Sequence, residues 1–136
     1  MSTAAAPSRP LPDVRTRAQA LVIGPPTLQA PLQNMFARSH WKLEREPSLP
    51  AALERLSRER FPAVFCGASE WKRVFDAVSR LDHPPMVIAL SDDRADEDWL
   101  QAVTSHVYVL DTKRLAPPEL FSLLSHAWRV CTQTGL

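Results

Sequence analysis

Apolar residues in this chain gather in short unbroken runs, and the stretches between them carry apolar positions at helical spacing. "ALVI" at 20–23 is a short aliphatic strand. The next stretch, "TLQAPLQNMFARS", places Leu28, Leu32, Met35 and Phe36 on one helical stripe. Thr27 is its expected N-cap, which sets Pro31 in the first turn, where a missing N–H breaks no bond. "WKLERE" at 41–46 alternates apolar and polar, as a half-exposed edge strand does. Ser48 can cap a helix whose stripe is Leu49, Ala52, Leu53 and Leu56. "AVFC" at 63–66 is an all-apolar strand. Ser69 can cap the helix after it, which carries Trp71, Val74, Phe75, Val78 and Leu81 on one side. "MVIAL" at 86–90 is the next buried strand, followed by a short acidic helix with Trp99, Leu100 and Val103 inward. "VYVL" at 107–110 is the fifth strand. Pro117 and Pro118 then open a last helix with Leu120, Phe121, Leu124, Ala127, Trp128 and Cys131 on its buried side.

Strands that alternate with helices call for a parallel sheet covered on both faces. The three central runs are uninterrupted hydrophobics, as burial on both faces requires. Nearly every proline falls at a junction or in a first helical turn. Residues 1–19, with Pro7, Pro10 and Pro12 and no apolar core, read as a flexible amino-terminal tail, not a secretory signal. The folded domain is expected over 20–136.

Composition narrows the function classes. A chain of 136 residues with 45% hydrophobic content builds one core-bearing domain. Sixteen basic residues against 15 acidic ones leave no electrostatic footprint for nucleic acid or an anionic membrane. Cys66 and Cys131 have no metal-ligand spacing and read as reduced core thiols of a cytoplasmic protein. No apolar run reaches membrane-spanning length.

The carboxyl-terminal third carries a resemblance. "VYVLDTKRLAPPELFSLL" (107–124) is similar to the last strand, Lys-containing loop and last helix of a response-regulator receiver domain of bacterial two-component signalling. Lys113 matches the family's Lys and Leu115 its Phe, Arg114 replaces its Pro, and Pro117-Pro118-Glu119-Leu120 follows in register. "PMVIALSD" (85–92) resembles the fourth strand, with Ser91 at the switch hydroxyl. The likeness spans roughly residues 20–131. It implies a receiver or flavodoxin-like (βα)5 three-layer sandwich, with a five-stranded parallel sheet in the order 2-1-3-4-5.

The departures bear on function. Gly24 and Pro25 stand where the family places its acidic, Mg²⁺-holding pair, and neither supplies a carboxylate oxygen. Ala68 stands where the phosphoacceptor Asp is expected. Ser69 has a hydroxyl but no neighbouring base to activate it. The resemblance therefore implies a degenerate phosphorylation pocket of Gly24, Pro25, Ala68, Ser91 and Lys113. It implies a non-catalytic pseudo-receiver that signals through protein contacts, with no cofactor and no metal.

Competing readings sit beside this one. Lys113 and Ser91, if they converge, bind an anion weakly; alone, they are a surface lysine and a turn-capping hydroxyl. The acids of "SDDRADED" (91–98) lack EF-hand spacing and suit the first turn of a helix, where the macrodipole stabilises them. His40, His83, His106 and His126 lie in separate elements, with no pair at ligand spacing. Trp99 and Tyr108 are candidate interface residues, because receivers typically dimerise through the face of the fourth helix, fifth helix and last strand; a homodimer through that face is a candidate assembly, beside signalling contacts with another protein. The alternatives are a small flavodoxin-like enzyme or ligand-binding domain, or a receiver phosphorylated in an atypical way at Asp92 or Asp93. "GPPTLQ" disfavours flavin binding, because its prolines offer no N–H groups to a phosphate.

Overall fold

The computed structural model describes residues 18–91, 107–113 and 115–134. The predicted acidic helix with Trp99, the acids from Asp92 to Asp98, and His106 lie outside the described residues, as does the tail up to residue 17. Among the described residues there are five strands: β1 (Gln19–Ile23), β2 (Lys42–Glu46), β3 (Ala63–Gly67), β4 (Met86–Ser91) and β5 (Tyr108–Asp111). Four helices accompany them: α1 (Pro26–Ala37), α2 (Leu49–Leu56), α3 (Trp71–Val78) and α4 (Pro117–Thr134).

All strand pairs are parallel, and the sheet order is β2-β1-β3-β4-β5. The chain is a flavodoxin-like α/β sandwich, in the strand order that the sequence predicted. Alternate residues of each central strand feed opposite layers, because strand side chains have period two. Ala20, Val22, Ala63, Phe65, Ile88 and Leu90 meet Leu32 and Phe36 of α1 and Leu120 and Leu124 of α4. Leu21, Ile23, Val64, Cys66, Val87 and Ala89 face Ala52 of α2 and Trp71, Val74 and Val78 of α3. Phe36 joins the first layer's parts, its ring 6.2 Å from Phe65 and 5.9 Å from Phe121.

Several local readings are corrected. β1 begins at Gln19, inside the predicted tail, because its side-chain amide is buried and donates to the Arg60 carbonyl (3.1 Å). Pro25, not Thr27, is the N-cap of α1, so Pro31 lies within the helix and the Thr27 carbonyl has no amide four residues on to accept from. Ser69 does not cap α3, whose N-cap is Glu70 with no side-chain bond. Ser48 does cap α2, its hydroxyl accepting from the Ala51 N–H at 3.4 Å. Phe75, placed on the inner stripe by its spacing, is 39% exposed because α3 turns only Trp71, Val74 and Val78 to the sheet.

The edge strand β2 is tied down by one cation. Glu44 and Glu46 share the α2 face of the strand, where two like charges would repel. Arg55 of α2 donates to both, at 2.8 and 3.1 Å, and to Glu59 at 3.1 Å. Its guanidinium also lies 5.5 Å from the Phe61 ring centroid. Charged residues along an edge also discourage strand addition by another chain.

The turn after β1 depends on Gly24. Its φ is +142°, a region that side chains rarely adopt, and a Cβ there would lie 3.2 Å from Leu28 Cδ2. The Gly24 N–H donates to the Glu46 carbonyl and its own carbonyl accepts from Arg45, both at 2.9 Å, so the backbone is held from two sides. Gly24→Ala is expected to lower stability by about 1–3 kcal/mol. Urea denaturation checks this; an unchanged midpoint would mean that the turn relaxes.

Candidate functional site

In an open parallel sheet the carboxyl ends of the strands meet their connections where the chain reverses its direction of winding. Here that point lies between β1 and β3, since the chain steps from β1 out to β2 and then back across to β3. A cleft of about 380 Å³ opens at this edge. Thr27, Leu28 and Pro31 of α1 form one wall, Ala68 and Ser69 after β3 the second, and Leu90, Ser91 and Thr112 the third.

Backbone bonds past the ends of the strands fix these positions. The Ala68 N–H donates to the Leu90 carbonyl at 3.0 Å, and the Thr112 N–H to the Ser91 carbonyl at 2.9 Å. Ala68 and Ser91 are thereby brought into one cleft, both 9% exposed or less. Gly24, Pro25 and Lys113 are not among the lining residues. Lys113 is exposed in a turn whose backbone N–H donates to Asp111 Oδ1 at 3.0 Å.

The chemistry available is that of hydroxyl groups. Thr27, Ser69, Ser91 and Thr112 offer four of them, and among the described residues the lining contains no carboxylate, imidazole or amine. Neutral hydroxyls solvate a polar ligand, but a hard divalent cation favours charged oxygen donors. With no base beside it, a serine hydroxyl stays a weak nucleophile. Among the described residues no group of three or more His, Cys, Asp or Glu could hold a metal ion. The thiol nearest this edge, Cys66, is fully buried under the strand end. Desolvation, with the Glu70 charge as a second cause, pushes its pKa from 9.0 up to about 12. A thiol held protonated in this way is neither nucleophile nor ligand at neutral pH.

No protein-family model matches the chain, and no curated protein does. The functional reading therefore rests on the fold and on the cleft. No helix among the described residues is long and apolar enough to cross a membrane.

Sequence reading found Ala68 and Ser91 through the receiver resemblance, but missed Thr112 as a lining residue and read Thr27 and Ser69 as caps. The available signal was positional: Ser69 and Thr112 each come within two residues of a strand's end, where side chains rim such a cleft. Of the interface candidates, Tyr108 is 41% exposed on the edge strand β5, its ring 6.1 Å from that of His126. Trp71 is core as expected, although its indole Nε1 is buried without an acceptor among the described residues.

A larger groove of about 530 Å³ lies at the opposite edge, between the ends of α2 and α3. Arg58 and Arg80 line it, each two residues past a helix end, and each pairs with an acid four residues back in that helix, Glu54 of α2 at 3.8 Å and Asp76 of α3 at 3.1 Å. Cations at helix carboxyl ends complement the macrodipole, which accounts for them without a ligand.

Proposed function

We propose that this chain is a receiver-like module that acts through protein–protein contacts and is not phosphorylated on aspartate. One observation carries the reading: the cleft at the carboxyl edge, where receiver chemistry would occur, is walled by hydroxyls and by Ala68. The flavodoxin-like order β2-β1-β3-β4-β5 is compatible with it. So are the Lys113 segment and Ser91, whose placement in sequence resembles that family. The module takes a signalling role in the cytoplasm and has no catalytic residue of its own. Tyr108, on the exposed edge strand, belongs to the surface that would meet a partner or a second copy.

The test is an amide NMR titration with Mg²⁺, then with Mg²⁺ plus beryllofluoride as a phosphoryl mimic. The amides of Gly24, Ala68, Ser91 and Lys113 are expected to stay in place at millimolar additions. Saturable shifts at these positions would overturn the reading and assign the cleft a working metal and phosphoryl site.

A further inference from the structure

Exposed apolar surface gathers at the amino-terminal edge of the sheet, opposite the hydroxyl-lined cleft. Among the described residues three large hydrophobic side chains are exposed: Phe75 at 39%, Tyr108 at 41% and Val130 at 39%. Single exposed hydrophobics are ordinary, but these three come from α3, β5 and α4 and line one groove of about 230 Å³. They meet because a helix that connects parallel strands runs back along the sheet. The ends of α3 and α4 therefore reach the edge where β3, β4 and β5 begin. Pro62, Pro84 and Pro85, which precede β3 and β4, also line the groove. Their fixed φ and missing N–H make that wall stiff and poor in donors. A groove of this size is smaller than a small-molecule site and takes a single apolar side chain, the anchor of a protein contact.

The larger groove between the ends of α2 and α3 adjoins it. Arg60 of that groove lies two residues before Pro62, and His83 directly before Pro84. Arg58, Arg60 and Arg80 line it together with Glu59 and Asp82. Glu59 is already bonded to Arg55 at 3.1 Å. The pairs that Arg58 and Arg80 make with Glu54 and Asp76 lie at the surface, each side chain at least 67% exposed, where an ion pair contributes little. Arg60 is half-buried, and among the described residues no carboxylate forms an ion pair with it. It stands four residues past the end of α2, beyond the reach of that helix's dipole, so the dipole does not account for it.

We infer that this edge is the docking surface for a segment of another protein that carries an apolar side chain beside acidic ones. The apolar side chain enters the Phe75–Tyr108–Val130 groove, and the carboxylates meet Arg60, Arg80 and Arg58. Charge complementarity selects this occupant over a second copy, because a two-fold contact through the same patch would set these arginines against each other. The inference rests on the reading of the chain as a module that acts through protein contacts, and it says where the contact lies and what chemistry fits it.

The test is an amide NMR titration of the full chain with a synthetic peptide in which phenylalanine and leucine are interleaved with glutamate and aspartate. Saturable shifts are expected at Arg60, Phe75, Arg80 and Tyr108, and none with the same peptide carrying lysine in place of each acid. Arg60→Glu combined with Arg80→Glu, and separately Phe75→Ser, should each weaken binding about tenfold and leave the far-ultraviolet circular dichroism unchanged. Absence of a saturable shift at millimolar peptide would overturn the inference. So would shifts centred elsewhere, equal affinity for the natural chain and the variants, or equal binding of a polyglutamate peptide that has no apolar side chain. Broadening at Phe75 and Tyr108 that grows with protein concentration in the absence of peptide would assign the edge to a second copy and overturn the choice of occupant. The beryllofluoride titration reads Gly24, Ala68, Ser91 and Lys113 at the opposite edge, so its failure and that of the docking surface are seen separately.

Discussion

Phe65→Ala is expected to cost about 3–5 kcal/mol, a large part of the stability of a single domain. Phe65 belongs to the central strand β3 and has no exposed surface. Its ring meets Phe36 of α1 nearly edge-on, at 84°, and Phe36 in turn leans on Phe121 of α4. Truncation would remove a central contact of the layer that α1 and α4 form on that face of the sheet. The cavity cannot easily close, because β3 is held in register by β1 on one side and β4 on the other. Urea unfolding followed by circular dichroism should show a lower midpoint with an unchanged slope. Phe65→Leu, which keeps most of the volume, should cost under about 1.5 kcal/mol. A loss below 1 kcal/mol for the alanine variant would mean that α1 and α4 repack over the gap.

Alkaline destabilisation through Cys66 is the second large effect. The thiol has a pKa of about 12 in the native chain, against 9.0 when solvated. Above pH 9 the unfolded chain loses this proton while the native chain keeps it, so the native state binds more protons and stability falls as pH rises. The contribution is complete below pH 9 and is lost progressively up to about pH 12. A shift of three pKa units corresponds to about 4 kcal/mol. Other groups titrate in the same range, so the comparison is between the natural chain and Cys66→Ala, whose stability curve should be flatter over that window. Parallel curves would mean that the thiol is solvated in the native state. In the natural chain at pH 8, alkylation of Cys66 should proceed only through unfolding.

Much of the architecture was already present in the one-dimensional pattern. The runs at 20–23, 63–66 and 86–90 are apolar at every position, which suits only strands with helices on both sides. Prolines and the Ser48 cap punctuated them, and the strand order followed from the receiver resemblance. Helix starts were less legible. Thr27 and Ser69 have good capping side chains, but α1 begins behind Pro25 and α3 behind Glu70, because packing on the sheet sets where each helix begins.

The sequence by itself determined that this chain folds as layered α/β. Local propensity and composition suffice for that, since both act along the chain. Only the tertiary structure decided which side chains meet. It placed Thr27, Ser69, Ser91 and Thr112 around one cleft, though they come from four separate segments of chain. It also brought Glu44 and Glu46 onto Arg55, and Trp41 against Trp128 across 87 residues of sequence (128 − 41). Such meetings depend on sheet register and on which face each helix covers, and these are fixed only when the two layers of the core close together.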